Sequence, residues 1–203
     1  MKYSPTKRLI VGISGASGAI YGIRLLEILR GVEGVETHLV LTNGARRTIV
    51  LETGCSVAQV EALADRSYRP GDIAAAVSSG SFKTAGMVVV PCSMKTVSGI
   101  AMSYSDNLLL RAADVVLKDR RKLVLLVRET PLHLGHLRLM VQVAELGAII
   151  MPPLPAFYHH PTTLDDIINQ TVNRVLDILD VDLDQDLFRR WQGPPVRHSQ
   201  DER

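Results

Sequence analysis

Ser14 and Ser17, Thr42, Ser93 with Met94, Lys95 and Thr96, and Arg128 with Glu129 share one property: each set follows directly on a short apolar run. Hydroxyls, a lysine and an arginine can hold a phosphate, and a carboxylate among them can hold and pass a proton. Glu129 is the candidate for that proton work, although beside Arg128 it also reads as a plain strand-end ion pair. Arg111 and Lys118 stand two helical turns apart on one helix face, so both could reach one anion.

The turn that anchors this set is GISGASGAIYG, Gly12 to Gly22, between Leu9-Ile10-Val11 and a helical stretch from Ala19 to Arg30. A strand turning sharply into a helix needs residues that tolerate positive φ and close ligand approach, and Gly12, Gly15 and Gly18 supply both. The new helix then offers unpaired N–H groups and the positive end of its dipole to an anion. A P-loop would place lysine after the last glycine, where Ala19 and Ile20 stand. A dinucleotide fold would use GxGxxG and an acidic residue ending the second strand; here the spacing is GxxGxxG and that strand ends in Thr42-Asn43. ATP and NAD are therefore excluded, and a mononucleotide with a single phosphate fits best. A glycine-rich turn without a ligand is the plainer alternative.

Other residues carry less chemistry. His133 and His136 lie at i,i+3 and His159 and His160 are adjacent, but no carboxylate completes a metal site at a recognisable spacing. No metal is expected. Cys92 reads as a small buried residue rather than a reactive thiol. The net charge of +2 is too small to imply nucleic acid or a membrane surface as partner. Two cysteines, no signal-peptide pattern and no bilayer-length apolar run point to a cytoplasmic chain.

The elements that position these residues are short. Strands are predicted at Arg8 to Ile13, Thr37 to Leu41, Met87 to Val90, Leu123 to Val127 and Ala148 to Met151, with Tyr68 to Ile73 a connection. Helices are predicted at Ala19 to Arg30, Ala45 to Glu52, Val57 to Leu63, Thr96 to Met102, Leu108 to Leu117, Leu134 to Leu146 and Leu164 to Leu179. Ser78 to Ser81 is a hydroxyl-rich turn that could touch a ligand, and Pro152 to Pro161 cannot be regular structure. With 203 residues, 46% of them hydrophobic, the alternation indicates one α/β domain: a three-layer, doubly wound parallel sheet of Rossmann-like type. A polar lead-in over 1–7, a domain over 8–180 and a tail over 181–203, disordered after about 193, complete the layout. Ligands of such sheets bind beyond the carboxyl ends of the strands.

Taken together, GISGASGAIYG, HLVLTNGA, SSGSFKTAGMVVVPCSMKT, RAADVVLKDRR, VRETPLHLGHL, MPPLPAFYHHP and DLFRRWQG resemble the UbiX-type flavin prenyltransferases from about Arg8 to Gly193. The resemblance implies a flavodoxin-like Rossmann fold, a homododecamer and FMN at subunit interfaces. It implies a metal-independent transfer of the dimethylallyl group of dimethylallyl phosphate to reduced FMN, at N5 and then C6. The prenylated FMN would serve a UbiD-type decarboxylase, as in ubiquinone synthesis. The implied flavin site is Gly15, Ala16, Ser17, Thr42, Ser93, Met94, Lys95, Thr96 and Arg128. The implied prenyl-phosphate site is Tyr158 and Arg174, with Lys118, Arg111, Arg128 and Glu129 around the phosphate, Ser17 and Glu129 lying at the chemistry.

Some relatives carry a tryptophan just before the serine turn, which can face an allylic cation; Asp72 to Gly80 has none, leaving Tyr158, Trp191 and the flavin itself as candidates. Two other readings fit the same residues: an aromatic-acid decarboxylase or its subunit, and an FMN carrier without catalysis. Arg174 and Lys118 separate them, because a carrier would tolerate their loss.

Overall fold

The computed structural model describes residues 6–193. The expected disorder after Gly193 concerns residues outside that range, as does most of the lead-in. Six strands form one parallel sheet: β1 (Lys7–Ile13), β2 (Val35–Leu41), β3 (Arg66–Tyr68), β4 (Gly86–Cys92), β5 (Lys122–Val127) and β6 (Ile149–Ile150). Among the described residues seven α-helices connect and cover them: α1 (Ala19–Leu29), α2 (Asn43–Glu52), α3 (Val57–Glu61), α4 (Met94–Ala101), α5 (Leu108–Lys118), α6 (Leu134–Glu145) and α7 (Leu164–Ile178).

The strand order is β3-β2-β1-β4-β5-β6, so successive crossovers leave β1 in opposite directions and open a crevice between the ends of β1 and β4. Side-chain alternation splits the core into two layers. Leu9, Val11 and Ile13 pack on one face with Leu26 of α1, Ile49 of α2 and Leu176 of α7. Ile10 turns to the other face with Val97 of α4, Leu109 of α5 and Val143 of α6. The central strand β4 is buried throughout, which is why it reads as an unbroken apolar run.

Most boundaries shift by one or two residues from the sequence expectation, as where β4 spans Gly86–Cys92 and α4 starts at Met94, and two differences bear on the layout. Lys7 already belongs to β1, its N–H donating to the Gly34 carbonyl at 2.7 Å, so the lead-in is shorter than seven residues. The expected connection, Tyr68 to Ile73, starts on the last residue of β3, an unexpected strand that pairs with β2 from His38↔Arg66 to Val40↔Tyr68. Three residues, two of them exposed and polar, are too few to show a strand period.

Candidate active site

The crevice holds a cleft of about 530 Å³, within the usual range for a small-molecule site. Three helix N-termini surround it. Thr42, Asn43 and Gly44 open α2; Ser93, Lys95 and Thr96 open α4; Asp106 and Asn107 lead into α5. Each helix is capped by its own side chain: Thr42 accepts the Ala45 N–H, Ser93 the Thr96 N–H, and Asn107 the Leu110 N–H. Three positive dipole ends and the Lys95 side chain line this cleft, chemistry that suits an anion. Pro70 and Gly71, past the end of β3, close its remaining side.

Gly15 lines the cleft too, and its reason for being glycine is visible. A Cβ there would stand 2.9 Å from the Gly44 Cα, so the β1–α1 and β2–α2 loops touch backbone to backbone. Gly18 caps α1 with φ of 100°, a left-handed conformation that favours glycine. Ser14 is spent internally: its hydroxyl donates to the Pro91 carbonyl at 2.9 Å and accepts the Ser93 N–H at 2.7 Å. That latch ties the end of β1 to the end of β4. Ala16 and Met94 are buried and line none of this cleft.

The N-terminus of α1, expected to cradle the anion, is already occupied. Glu52, at the end of α2, accepts the Gly18 N–H at 2.8 Å and the Ala19 N–H at 3.4 Å. Burial works against its charge, but these amides, the Ser17 hydroxyl and the nearby Arg128 outweigh it and hold Glu52 below the usual carboxylate range. The first amides of α1 are therefore engaged within the chain, whereas the N-termini of α2, α4 and α5 line the cleft. Sequence reasoning missed Glu52, as well as Pro70, Gly71, Asp106 and Asn107; only the turn-like Pro70-Gly71 and the cap-like Asn107 carried a local signal.

Arg128 follows β5, its N–H donating to the Cys92 carbonyl at 3.0 Å, and it brings exposed Glu129 to the same edge of the sheet. Glu129 accepts the Thr130 N–H at 3.1 Å. Lys118 does not join them. It ends α5 where the chain turns back into β5, near Gly80, and the length of β5 puts it about 20 Å from Glu129. Arg111 bonds the Ser78 carbonyl at 3.2 Å and Asp114 at 2.8 Å, while Lys118 pairs with Asp119 at 3.1 Å, so the two cations share no anion within the chain. Ser78 to Ser81 precedes a strand rather than following one. It therefore sits at the opposite edge and lines none of this cleft.

Tyr158 and Arg174 form a separate locus. The Tyr158 hydroxyl accepts from Gln170 of α7 at 3.3 Å, and Arg174, one turn further along α7, pairs with Asp177 at 2.9 Å. His133 caps α6, its Nδ1 accepting the Gly135 and His136 N–H groups, and Cys92 is fully buried with its thiol pKa pushed up by desolvation. Among the described residues no cluster of three or more His, Cys, Asp or Glu could hold a metal ion.

Comparison with known proteins agrees with this fold. The Flavoprotein family matches residues 2–179. The flavin prenyltransferase UbiX of Salmonella typhimurium is 70% identical over 187 residues, covering 92% of this chain and 99% of its own. The Escherichia coli K12 enzyme of the same name is 68% identical over the same span. A crystal structure of AnUbiX (PadA1) in complex with FMN and dimethylallyl pyrophosphate superposes with a TM-score of 0.88 at 50% identity, covering 92% of this chain and 98% of that one. A dodecameric FMN-dependent UbiX-like decarboxylase from Escherichia coli O157:H7 gives the same TM-score at 53% identity, covering 92% and 100%.

Proposed function

Because the chain belongs to the Flavoprotein family, and within it to the flavin prenyltransferases, we propose that it binds reduced FMN in the cleft between the ends of β1 and β4 and prenylates it. The observation that carries the assignment is the ring of three helix N-termini with Lys95, a donor set suited to one phosphate monoester. The Gly15–Gly44 contact leaves backbone rather than side chains facing the ligand. The flavin supplies a nucleophilic ring nitrogen; the residues around it bind, orient and move charge.

Dimethylallyl phosphate is the co-substrate in this reading. Its allylic C–O bond would break with the electron pair leaving on the phosphate, while flavin N5 takes the allylic carbon and releases its hydrogen as a proton; ring closure would then join C6 to the tertiary alkene carbon, a proton adding to the neighbouring alkene carbon as the C6 hydrogen leaves. Arg174 and Arg128 stabilise the leaving phosphate, Tyr158 shields the prenyl group, and Glu129 or the released phosphate takes the proton. Ser17, whose hydroxyl helps to lower the Glu52 pKa, orients the flavin edge. Arg111 and Lys118 reach this site from another copy of the chain, since Lys118 lies at the far edge of its own sheet.

Assembly is supported by bare apolar side chains: Leu134, Leu137 and Val141 on α6 and Leu154 and Phe157 beyond β6 are all exposed in the single chain. A dodecamer would cover them, as a dodecameric relative suggests. The product would pass to a UbiD-type decarboxylase. We place the protein in the cytoplasm: both cysteines are free thiols, and no described helix is long and apolar enough to cross a membrane.

The deciding experiment is anaerobic incubation of purified protein with reduced FMN and dimethylallyl phosphate, followed by mass spectrometry. A flavin heavier by one five-carbon unit is expected; no mass gain overturns the proposal.

A further inference from the structure

Tyr158 and Arg174 are fastened to a segment without regular structure. After α7 the chain runs irregularly to Gly193 and doubles back over the helix that carries Arg174. Two fastenings hold it there. The carbonyl oxygen of the Asn173 side chain, buried on α7, accepts the Leu187 N–H at 2.8 Å. Further on, the Arg190 guanidinium grips both oxygens of Asp177, at 2.9 and 2.8 Å, and both oxygens of Asp186 at 2.6 Å. The result sets Phe188 and Trp191 edge-on to Tyr158, with ring centroids 6.4 and 6.2 Å away.

Asp177 is shared. The oxygen that accepts from Arg190 Nη1 also accepts from Arg174 Nη1 at 2.9 Å, so one carboxylate serves two guanidinium groups. Left alone with Arg174, Asp177 would compete with any anion for that cation. A carboxylate already held by a bidentate arginine competes weakly, because its charge is offset and its lone pairs are engaged.

We propose that Arg190 is a positioning residue for the prenyl donor: by holding Asp177 and Asp186 it frees Arg174 to turn toward a phosphate and clasps Trp191 and Phe188 against Tyr158. This inference rests on the reading of Tyr158 and Arg174 as donor-binding residues. Arg190 itself need not touch the substrate. Its planar fork suits the task, because one guanidinium spans two carboxylates that a lysine could not engage together.

The test is steady-state prenylation with varied dimethylallyl phosphate, alongside FMN binding by flavin fluorescence. Arg190→Ala should raise the donor KM about tenfold, the scale of one charge-assisted hydrogen bond, while FMN affinity stays at the wild-type value. Arg190→Lys should recover only part of the loss. Adding Asp177→Asn to Arg190→Ala should recover most of it, since Arg174 no longer has a competing partner. An unchanged donor KM in Arg190→Ala, an equal loss of FMN affinity, or no recovery in the double variant would overturn the proposal. Arg174→Ala separates the two levels: if it leaves the donor KM unchanged, the donor site itself is misplaced, whatever Arg190 does.

Discussion

Glu52 accepts the Gly18 N–H at 2.8 Å, so the chain fills the N-terminus of its first helix with its own carboxylate. A glycine-rich turn after the first strand is where a phosphate would be sought. Here the end of that turn is anchored to the end of α2, and Arg128 lies close enough to add to the stabilisation of the Glu52 charge. Glu52→Gln keeps an acceptor for Gly18 but removes the charge between Ser17 and Arg128. Prenylation should fall about tenfold or more while phosphate-end contacts keep FMN bound, the pattern of a charge used in the reaction rather than in binding. Single-turnover absorbance and an FMN titration check this together.

Glu129→Gln should also leave FMN bound and slow formation of the prenylated flavin by about 100-fold, the lower end of what general acid–base catalysis contributes. Unchanged single-turnover rates would remove Glu129 from the proton step.

Gly44→Ala places a Cβ 3.0 Å from the Gly15 Cα, and backbone cannot yield as a flexible side chain would. The two loops must separate. About 1–3 kcal/mol of overpacking should appear as weaker FMN binding, roughly tenfold or more by flavin fluorescence. Wild-type affinity would mean that the loops open without disturbing the cleft.

Lys118 and Glu129 occupy opposite edges of one sheet, which makes subunit mixing informative. Lys118→Ala and Glu129→Gln proteins, each impaired alone, should regain activity when unfolded together and reassembled, because some interfaces then receive both wild-type residues. If mixing restores nothing, both residues act within one chain or in different roles.

Stability should fall with acid in two stages. His38 is buried beside Glu36, Tyr68, Phe82 and Arg8; desolvation lowers its pKa, with Glu36 and Asp65 acting in opposition and Arg8 and Arg66 reinforcing. The unfolded chain then binds more protons below about pH 6.5, so this contribution is present above that value and lost as pH falls through it. Asp65 is held below the usual carboxylate range first by the Thr37 N–H, and Asp177 first by Arg190. Their contribution is present above about pH 4 and lost below it. Calorimetric Tm against pH should show both stages, and His38→Gln should flatten only the upper one. An identical slope between about pH 5 and 6.5 in both proteins would exclude His38.

Much of the fold was legible because its signals are local. Buried parallel strands read as apolar runs, and every cleft-lining residue named in advance follows one of them. What escaped depends on tertiary geometry. Edge strand β3 is too short to show a period, and Glu52 reaches Gly18 from 34 positions away without any motif. Arg111 and Lys118 share a helix face, as their spacing promised, but each has its own carboxylate neighbour, which spacing cannot reveal. Ser78 to Ser81 shows what topology hides: hydroxyls before a strand and hydroxyls after one look alike in sequence yet lie at opposite edges, so this turn lines none of its own chain's cleft.

The caps on α2, α4 and α5 bear on turnover. Thr42, Ser93 and Asn107 each satisfy an amide of their own helix, so the ring of positive helix ends needs no guest to hold its shape. An enzyme that releases its flavin as product stands vacant once per cycle. A vacancy that keeps its form can be refilled without refolding a loop, and its waiting time is then governed by flavin supply rather than by the protein.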